Sequence, residues 1–289
     1  MNARTETFQT PGAVRLEIRN GAGEVRLDAG NSQGETTVVV EPLRDNESSI
    51  EAVQSARVEL HERADGQDVV IDVRGRSKWF RGAEVLIAVT CPLEPAVEVK
   101  TGSADIEGRG LFKSVDIETG SGDVQFADVS GDAEVSAASG DVQFSLIGGE
   151  ARLNTASGDI QIGMIGGDGR LNSASGDLIL KSVGGRLEAN SASGDVLVKE
   201  ALSSVTINTA SGDQQLGSVF HDSVNLRSAS GDLRIGIKEG SRLYVDARSR
   251  SGDVSSELPV SDVPPDGVAP LIELRANTMS GDITIHRGN

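Results

Sequence analysis

The tripeptide Ser-Gly-Asp recurs from Ser121 to Asp282 of this 289-residue chain, and its spacing is the strongest constraint on the fold. From Gly140 to Gly212 the step between successive glycines is 18 residues every time. A step of 9 residues leads from Gly122 through Gly131 to Gly140. A fixed period of this length is typical of architectures in which every repeat is one supersecondary unit. The chain is therefore expected to fold by stacking repeats, each built from two halves.

The apolar residues of successive repeats fall into columns. In the period Ser157–Ala174, each nonamer has a small-residue corner and apolar or small residues at its fourth, sixth and ninth positions. This spacing is typical of a strand that faces a core, bends and turns a corner, and helical spacing is not sustained. One column is interrupted by Gln214, and its other members are Val124, Val142, Ile160, Leu178, Val196 and Leu233.

These patterns predict an all-β fold, a single-chain parallel β-solenoid (β-helix) of about ten 18-residue coils with two strands each. Strands of neighbouring coils would lie ~4.8 Å apart and the two sheets ~10 Å apart. A column of alanines precedes the Ser-Gly corner and is expected to point inward, where converging sheets leave room only for a methyl group. Its members are Ala138, Ala156, Ala174, Ala192, Ala210 and Ala229.

The period divides the chain into two regions. Residues 1–96 lack it and are predicted to form an irregular β N-terminal cap, with one short helix that a capping box at Ser48–Glu51 opens and that ends near Ala56. Residues 97–289 are predicted to form the Ser-Gly-Asp solenoid, with a Pro-rich loop at 256–270. The last strand, Ile283–His286, is expected to end the stack without a cover.

Composition excludes several classes of protein. Lys and Arg number 27 against 44 Asp and Glu, so the formal net charge is −17, which disfavours nucleic acid as a partner. No stretch approaches the ~18 apolar residues of a transmembrane segment, and no signal peptide is seen. A single cysteine, Cys91, fits a reducing compartment. An acidic, cytoplasmic protein without a transmembrane segment is predicted.

The iterated SGDV, SGDI and SGDL units from Ser121 to Ile285, closing with Ser280–Arg287, carry a resemblance to a known family. It extends upstream to Thr10–Glu17 and the strand Gly23–Leu27. The chain resembles a bacterial β-strand-repeat family of unknown function whose members are provisionally catalogued as adhesins. The resemblance implies a β-solenoid of stacked short strands and implies adhesion only weakly. It supplies no catalytic residues to carry over.

Two polar columns are predicted to form ladders along the stack. The simplest explanation of the aspartates is a structural role, in which each carboxylate accepts hydrogen bonds at its corner. Calcium binding by the same ladder stays open, although the Gly-Gly-x-Gly-x-Asp spacing of calcium β-rolls is absent. Stacked asparagine amides are expected to bond to one another. The ladders consist of Asp141, Asp159, Asp177, Asp195 and Asp213, and of Asn154, Asn172, Asn190 and Asn208.

One basic segment contrasts with the acidic whole, since four cations surround the only tryptophan of the chain. It is either a hairpin loop whose aromatic rings fold back onto the cap, or a recognition loop for an acidic partner, an anionic lipid surface or a second copy. The candidate partner-binding residues are Arg74, Arg76, Lys78, Trp79, Phe80 and Arg81.

Catalytic signals are weak. The three histidines, His61, His221 and His286, are scattered, and Cys91 has no histidine near it in sequence. We therefore predict no enzyme, no cofactor and no metal site. The expected function is a non-catalytic binding or scaffold protein that acts through its surface loops and cap, with a protein or another copy of itself as partner and with no known ligand. The alternatives are a self-assembling, end-to-end polymerising scaffold and, last, a polysaccharide-active β-helix enzyme.

Overall fold

The computed structural model describes residues 3–31, 33–73, 82–258 and 271–288. In this part of the chain the structure has 25 β-strands and one short helix. Strands of successive repeats pair in parallel, so the protein is an all-β parallel solenoid, as the 18-residue period predicts. The chain divides into two compact units, unit 1 (Met1–Ser145) and unit 2 (Leu146–Asn289), and the division falls within one strand.

The secondary structure of unit 1 includes the helix α1 (Glu47–Ser55). Its strands are β1 (Arg4–Gln9), β2 (Ala13–Ala29), β3 (Glu35–Pro42), β4 (Arg57–Arg63), β5 (Gly66–Asp72), β6 (Val85–Cys91), β7 (Ala96–Phe112), β8 (Ser114–Ser121), β9 (Val124–Val129), β10 (Ala133–Ser139) and the start of β11 (Val142–Ile147).

Parallel pairing in unit 1 begins with β2, which pairs with β7 along nearly its whole length. The first half of β7 then pairs with β8 and its second half with β9. On its other edge β2 pairs in parallel with β5 and β6. Strands β4, β3 and β1 complete this side in antiparallel pairings. The ladder therefore already includes a strand of the predicted cap, and the boundary at residue 96 stays a prediction.

The helix begins two residues earlier than the sequence predicts, and its capping residue was predicted wrongly. Asn46 is the N-cap, because its side chain accepts a hydrogen bond of 2.7 Å from the Ser49 backbone N–H. Ser48 lies inside the first turn instead. The Ser49 side chain is buried, and its Oγ accepts a 3.0 Å hydrogen bond from the Glu84 N–H. The third helical residue thus ties the helix to the chain just before β6.

The secondary structure of unit 2 consists of strands only among its described residues. They are the end of β11, β12 (Ala151–Ser157), β13 (Ile160–Ile165), β14 (Gly169–Ser175), β15 (Leu178–Val183), β16 (Leu187–Ser193), β17 (Val196–Ala201), β18 (Val205–Ser211), β19 (Gln214–Val219), β20 (Asp222–Ser230), β21 (Leu233–Lys238), β22 (Arg242–Ser249), β23 (Val254–Ser256), β24 (Leu271–Ser280) and β25 (Ile283–Gly288).

Two parallel sheets enclose the core of unit 2. One contains β13, β15, β17, β19 and β21, and the other contains β12, β14, β16, β18 and β20. Register follows the sequence columns, so that Ile160, Leu178 and Val196 lie opposite one another and are at most 1% exposed. Gln214 continues this column and is fully buried. Its Nε2 donates to the Thr209 hydroxyl at 2.8 Å and to the Arg227 carbonyl at 2.7 Å, which offsets the desolvation of the amide nitrogen, whereas its Oε1 has no partner among the described residues.

The last two coils of unit 2 do not stack in chain order. Strand β24 pairs with β20 on one side and β22 on the other, and β25 likewise lies between β21 and β23. The expectation that Ile283–His286 ends the stack is therefore wrong. The C-terminal coil has Ile272, Leu274, Ile283 and Ile285 in the core, all at most 1% exposed. This more apolar coil takes the inner place, and the coil with Ser255 and Ser256 lies at the edge.

The alanine column was also predicted on the wrong face. Ala156, Ala174 and the other alanines of the column are exposed, and in unit 2 the preceding Thr or Ser points inward instead. Inward threonines hydrogen-bond to carbonyls at the corner, since Thr155 Oγ1 donates to the Ser157 carbonyl and Thr278 Oγ1 to the Ser280 carbonyl, both at 3.2 Å. The inward serine hydroxyls of Ser173, Ser191 and Ser228 have no hydrogen-bond partner among the described residues. The inward members of this column in unit 2 are Thr155, Ser173, Ser191, Thr209, Ser228 and Thr278.

Candidate binding surface

The predicted basic loop cannot be placed from this structure. Its residues Arg74, Arg76, Lys78, Trp79, Phe80 and Arg81 all lie outside the described residues. The same is true of residues 259–270 in the predicted Pro-rich loop. The role of both segments stays a prediction.

The aspartate columns form hydrogen-bonded ladders at the Ser-Gly-Asp corners. In unit 2 the Oδ1 of Asp177 accepts from the backbone N–H of Asp195, and the Oδ1 of Asp195 accepts from that of Asp213, both at 2.8 Å. In unit 1 the Oδ1 of Asp123 accepts from the Asp141 N–H at 3.0 Å. One carboxylate oxygen of these residues thus satisfies a backbone donor of the next coil, which offsets the repulsion between neighbouring carboxylates.

The asparagine column on the other sheet bonds through its side chains. The Nδ2 of Asn172 donates to the Oδ1 of Asn154 at 2.8 Å, and the same contact at 2.9 Å links Asn190 to Asn172 and Asn208 to Asn190. The two inner amides, Asn172 and Asn190, therefore each use one donor and one acceptor within the ladder. Among the described residues, no group of three or more His, Cys, Asp or Glu side chains converges to hold a metal ion.

Unit 1 presents a different surface on the outer side of β2, β7, β8 and β10. We call it the charged face and define it by eight residues whose side chains alternate with buried apolar ones. They are Arg15, Glu17, Arg19, Glu98, Lys100, Asp116, Glu118 and Glu134.

A column of four carboxylates runs through the charged face. Glu17 lies opposite Glu98, Glu98 opposite Asp116, and Asp116 opposite Glu134 in the strand registers. Strands pair at ~4.8 Å, so these neighbours repel one another. The cations of the face lie around Glu17 and Glu98. Arg19, for example, contacts Glu17 at 2.5 Å.

Glu98 is the best compensated carboxylate of the charged face. Arg15 lies 2.5 Å from it and Lys100 3.6 Å from it. Lys100 also reaches Glu118 at 3.0 Å. The hydrogen bond from Arg15 lowers the pKa of Glu98 against the opposing effect of burial.

Asp116 and Glu134, at the other end of the column, are the carboxylates without a salt bridge among the described residues. Partial burial raises the pKa of Asp116, and the charges of Glu134 and Glu98 raise it further. The charged face therefore ends in two carboxylates that make no salt bridge among the described residues, although the more distant charge of Lys100 lowers the pKa of Asp116 in part.

Two grooves flank the charged face. The first has a cavity volume of about 560 Å³ and is lined by Arg63, Glu94, Lys113 and Asp116, among others. Glu94 has φ 57°, an uncommon backbone conformation for a residue other than glycine. The second groove has a volume of about 520 Å³ and lies over Asn20, Thr101, Gly102 and Gly120 beside Lys100 and Glu118. A Cβ atom on Gly120 would lie 2.6 Å from the Gly102 carbonyl oxygen, so glycine is needed here for the close approach of the two strands.

The cysteine and two of the histidines of the chain lie apart from one another in their contacts. The Cys91 thiol is buried, and desolvation raises its pKa to about 12, so it is a poor nucleophile at neutral pH. His61 and His221 are exposed, and each lies beside a neighbouring carboxylate, Glu59 at 3.4 Å and Asp222 at 2.8 Å.

Sequence reasoning missed the charged face. Its signal was present, because Glu98, Asp116 and Glu134 follow one another at the 18-residue step. The column begins before the first Ser-Gly-Asp unit, however, and its first member Glu17 lies far upstream of the repeat. Only the pairing of β2 with β7 brings Glu17 and Arg15 beside it.

Several solved structures are similar to this chain over nearly its whole length. A provisionally named adhesin from Bacteroides fragilis is 13% identical, with 98% of this chain and 96% of that one covered and a TM-score of 0.34. A provisionally named lipid-binding protein from Parabacteroides distasonis is 15% identical over the same shares, with a TM-score of 0.41. A provisionally named cell adhesion protein from Clostridium sporogenes is 9% identical over 99% and 98%, with a TM-score of 0.24.

None of the described helices has the length and apolar character needed to cross a membrane. No curated protein matches the chain. The family model named Toastrack DUF4097 matches residues 15–218, which is more than two thirds of the 289 residues. The match begins at β2 and includes both the charged face and the repeats, and it confirms the β-strand-repeat family that the Ser-Gly-Asp units indicate. The chain is therefore a member of the Toastrack DUF4097 family, a domain family of unknown function with a β-solenoid fold.

Proposed function

We propose that this protein is a non-catalytic binding and scaffold module, and that the charged face is its contact surface for a protein partner. The observation that carries the proposal is the pair Asp116 and Glu134, two opposed carboxylates that make no salt bridge among the described residues, in a face whose three cations pair with other carboxylates. Like charges directly opposite each other on a sheet reduce stability. A lysine or arginine of a partner at this position would remove that cost on binding.

The surroundings of the pair support the same function. Asp116 lines the first groove, and Glu118 of the same strand lines the second. A partner chain that places a cation between Asp116 and Glu134 would have space for its neighbouring residues on both sides. The side chains around the pair lie on paired strands rather than on loops, so the surface is largely preformed.

The proposal includes a cytoplasmic location, which rests on the single, buried cysteine of the chain. Cell fractionation tests this part separately. Recovery of the protein from the periplasmic or extracellular fraction would contradict it and would leave the binding surface unaffected.

A double substitution at the pair is expected to stabilise the protein and to weaken binding. Asp116→Asn with Glu134→Gln removes the repulsion, so the free energy of unfolding at neutral pH should rise, by less than about 1 kcal/mol for such exposed groups. Because the folded-state pKa of Asp116 is raised, the cost of its charge is present at neutral pH. That cost disappears as the pH falls below the ordinary value of 3.8, and the gain of the variant should disappear with it. Urea unfolding across this pH range measures both effects.

Glu118→Gln is the matched control for stability, because this carboxylate is paired with Lys100 and its removal should not stabilise the protein. Binding is read out in cells with a photo-crosslinking amino acid at Ser136, on the rim of the second groove. We expect an adduct there, none at Ser157 in unit 2, and at least a tenfold weaker adduct in the double variant. An adduct that the double variant leaves unchanged, or no adduct at Ser136, would contradict the proposed surface.

A further inference from the structure

The outer edge of unit 2 is formed by β22 and β23, one strand from each sheet. Among the described residues, β22 pairs only with β24 and β23 only with β25. Val245 and Ala247 point toward the core but are only half-buried, whereas their neighbours Leu274 and Ala276 on β24 are fully buried. Val254 on β23 is 48% exposed. Among the described residues, the core is therefore partly open at this edge.

The backbone of β22 presents hydrogen-bonding groups toward the same side. The Arg250 N–H donates to the Thr278 carbonyl of β24 at 3.2 Å. Because backbone groups of successive residues in a strand point to opposite sides, those of Val245, Ala247 and Ser249 face away from β24. An edge of this kind pairs with another β-strand.

The sequence around Ala247 is complementary to itself in charge. Asp246 and Arg248 flank Ala247 and lie on the outer face, where their side chains are 3.0 Å apart. If two β22 strands pair antiparallel with Ala247 opposite Ala247, Asp246 of each copy lies opposite Arg248 of the other. Tyr244 then lies opposite Arg250. Directly opposite residues share one face of a sheet, so the apolar side chains of both copies stay on the core side.

Neighbouring registers lack this complementarity. Pairing centred on Val245 places Arg242 opposite Arg248, and pairing centred on Asp246 places that carboxylate opposite itself. Pairing centred on Arg248 likewise places two guanidinium groups opposite each other. Since like charges directly opposite are destabilising, one register is favoured over its neighbours.

A twofold axis perpendicular to both sheets reverses the strand direction in each of them. It therefore pairs β22 with β22 and β23 with β23 at the same time. Such a contact uses one patch on both copies and closes on itself, so it ends in a dimer and does not propagate into a fibre.

We propose that two copies of this chain associate through the β22–β23 edge, in the antiparallel register centred on Ala247. The proposal does not rest on the charged face, which belongs to unit 1. This dimer takes the place of the end-to-end polymer that the sequence predicts from an unpaired last strand. The last strand, β25, is paired on both sides with β21 and β23.

Light scattering coupled to size-exclusion chromatography tests the association over a wide concentration range. We expect a mass of twice 30.1 kDa at high concentration. Ala247→Pro should give a monomer, because it removes an outward N–H without removing a bond to β24. Arg248→Asp should weaken the dimer at least tenfold, and adding Asp246→Arg should restore it. Arg152→Glu, an exposed charge reversal on β12 of the same sheet, is the control and should leave the dimer unchanged.

A single cysteine reports the register directly in a Cys91→Ala background. Ala247→Cys should form an intermolecular disulfide on oxidation, because hydrogen-bonded antiparallel neighbours have Cα atoms about 5.5 Å apart, within disulfide range. Val245→Cys should not, because the two copies of this residue would lie several residues out of register. A monomer at every concentration, equal crosslinking at both positions, or a dimer that Ala247→Pro and the charge swap leave unchanged would overturn the proposal.

Discussion

Gly194→Ala is expected to destabilise unit 2 by more than about 4 kcal/mol, enough to prevent cooperative folding. Gly194 has φ +145°, and a Cβ atom placed on it would lie 2.1 Å from the carbonyl oxygen of Gly176 in the preceding coil. Neither backbone can move away without breaking the parallel ladder on both sides of the corner. Circular dichroism and urea unfolding of the purified variant measure the loss.

Gly240→Ala separates steric overlap from backbone strain. Gly240 also has a positive φ, +85°, but a Cβ atom there meets nothing within 4 Å. Only the conformational cost of about 1–2 kcal/mol applies. If Gly194→Ala costs no more than Gly240→Ala, the coils do not stack as closely at the Ser-Gly-Asp corner as the structure requires.

Phe126→Ala is the second substitution with a large expected effect, a loss of about 3–5 kcal/mol in unit 1. The Phe126 ring is 1% exposed. It packs edge-on against Phe112 with centroids 5.0 Å apart and stacks on Phe144 at 5.7 Å. Gln125→Ala on the same strand is the control, because this side chain is exposed and its loss should change stability by less than about 0.5 kcal/mol.

Gly108 provides an independent check on the position of this ring. It lies opposite Phe126 in the strand register, and a Cβ on it would lie 2.2 Å from the ring. Gly108→Ala alone should therefore destabilise unit 1, but it should cost much less in a Phe126→Val background. Strictly additive effects in this double-mutant cycle would mean that the two residues are not in contact.

The repeat predicted the parts of the fold that depend on residues one coil apart. The 18-residue step specifies which residues pair, so the columns through Ile160 and Leu178 and the amide ladder through Asn172 could be identified in advance. Those features need only the period and the alternation of a strand.

The alanine column was misplaced because alanine is compatible with either face of a strand. The inward position is taken by Thr155 and its equivalents, and hydropathy does not reveal contacts such as the hydrogen bond from Thr155 to a corner carbonyl. The order of the last coils was missed for a different reason. β22 and β24 carry matching columns, as Val245 opposite Leu274 shows, so the period alone permits either coil to stack on β20. The apolar content of the whole coil distinguishes them.

The candidate surface was harder to predict than the core. Arg15 is 83 residues from Glu98 in sequence, and their ion pair depends on the pairing of β2 with β7. No local pattern contains that information. That Asp116 and Glu134 make no salt bridge with other described residues becomes visible only when their neighbours on the sheet are known.

The order of the coils at the end of unit 2 is the most direct test of this structure. In a Cys91→Ala background, Asn225→Cys with Arg275→Cys should form a disulfide on mild oxidation, because these residues are register partners on β20 and β24. Asn225→Cys with Asp246→Cys should not, because β24 lies between β20 and β22 and separates them by ~9.6 Å, beyond disulfide range. The opposite result, a bond between positions 225 and 246 and none between 225 and 275, would mean that the coils stack in chain order and would contradict both the inserted C-terminal coil and the edge proposed for dimerisation.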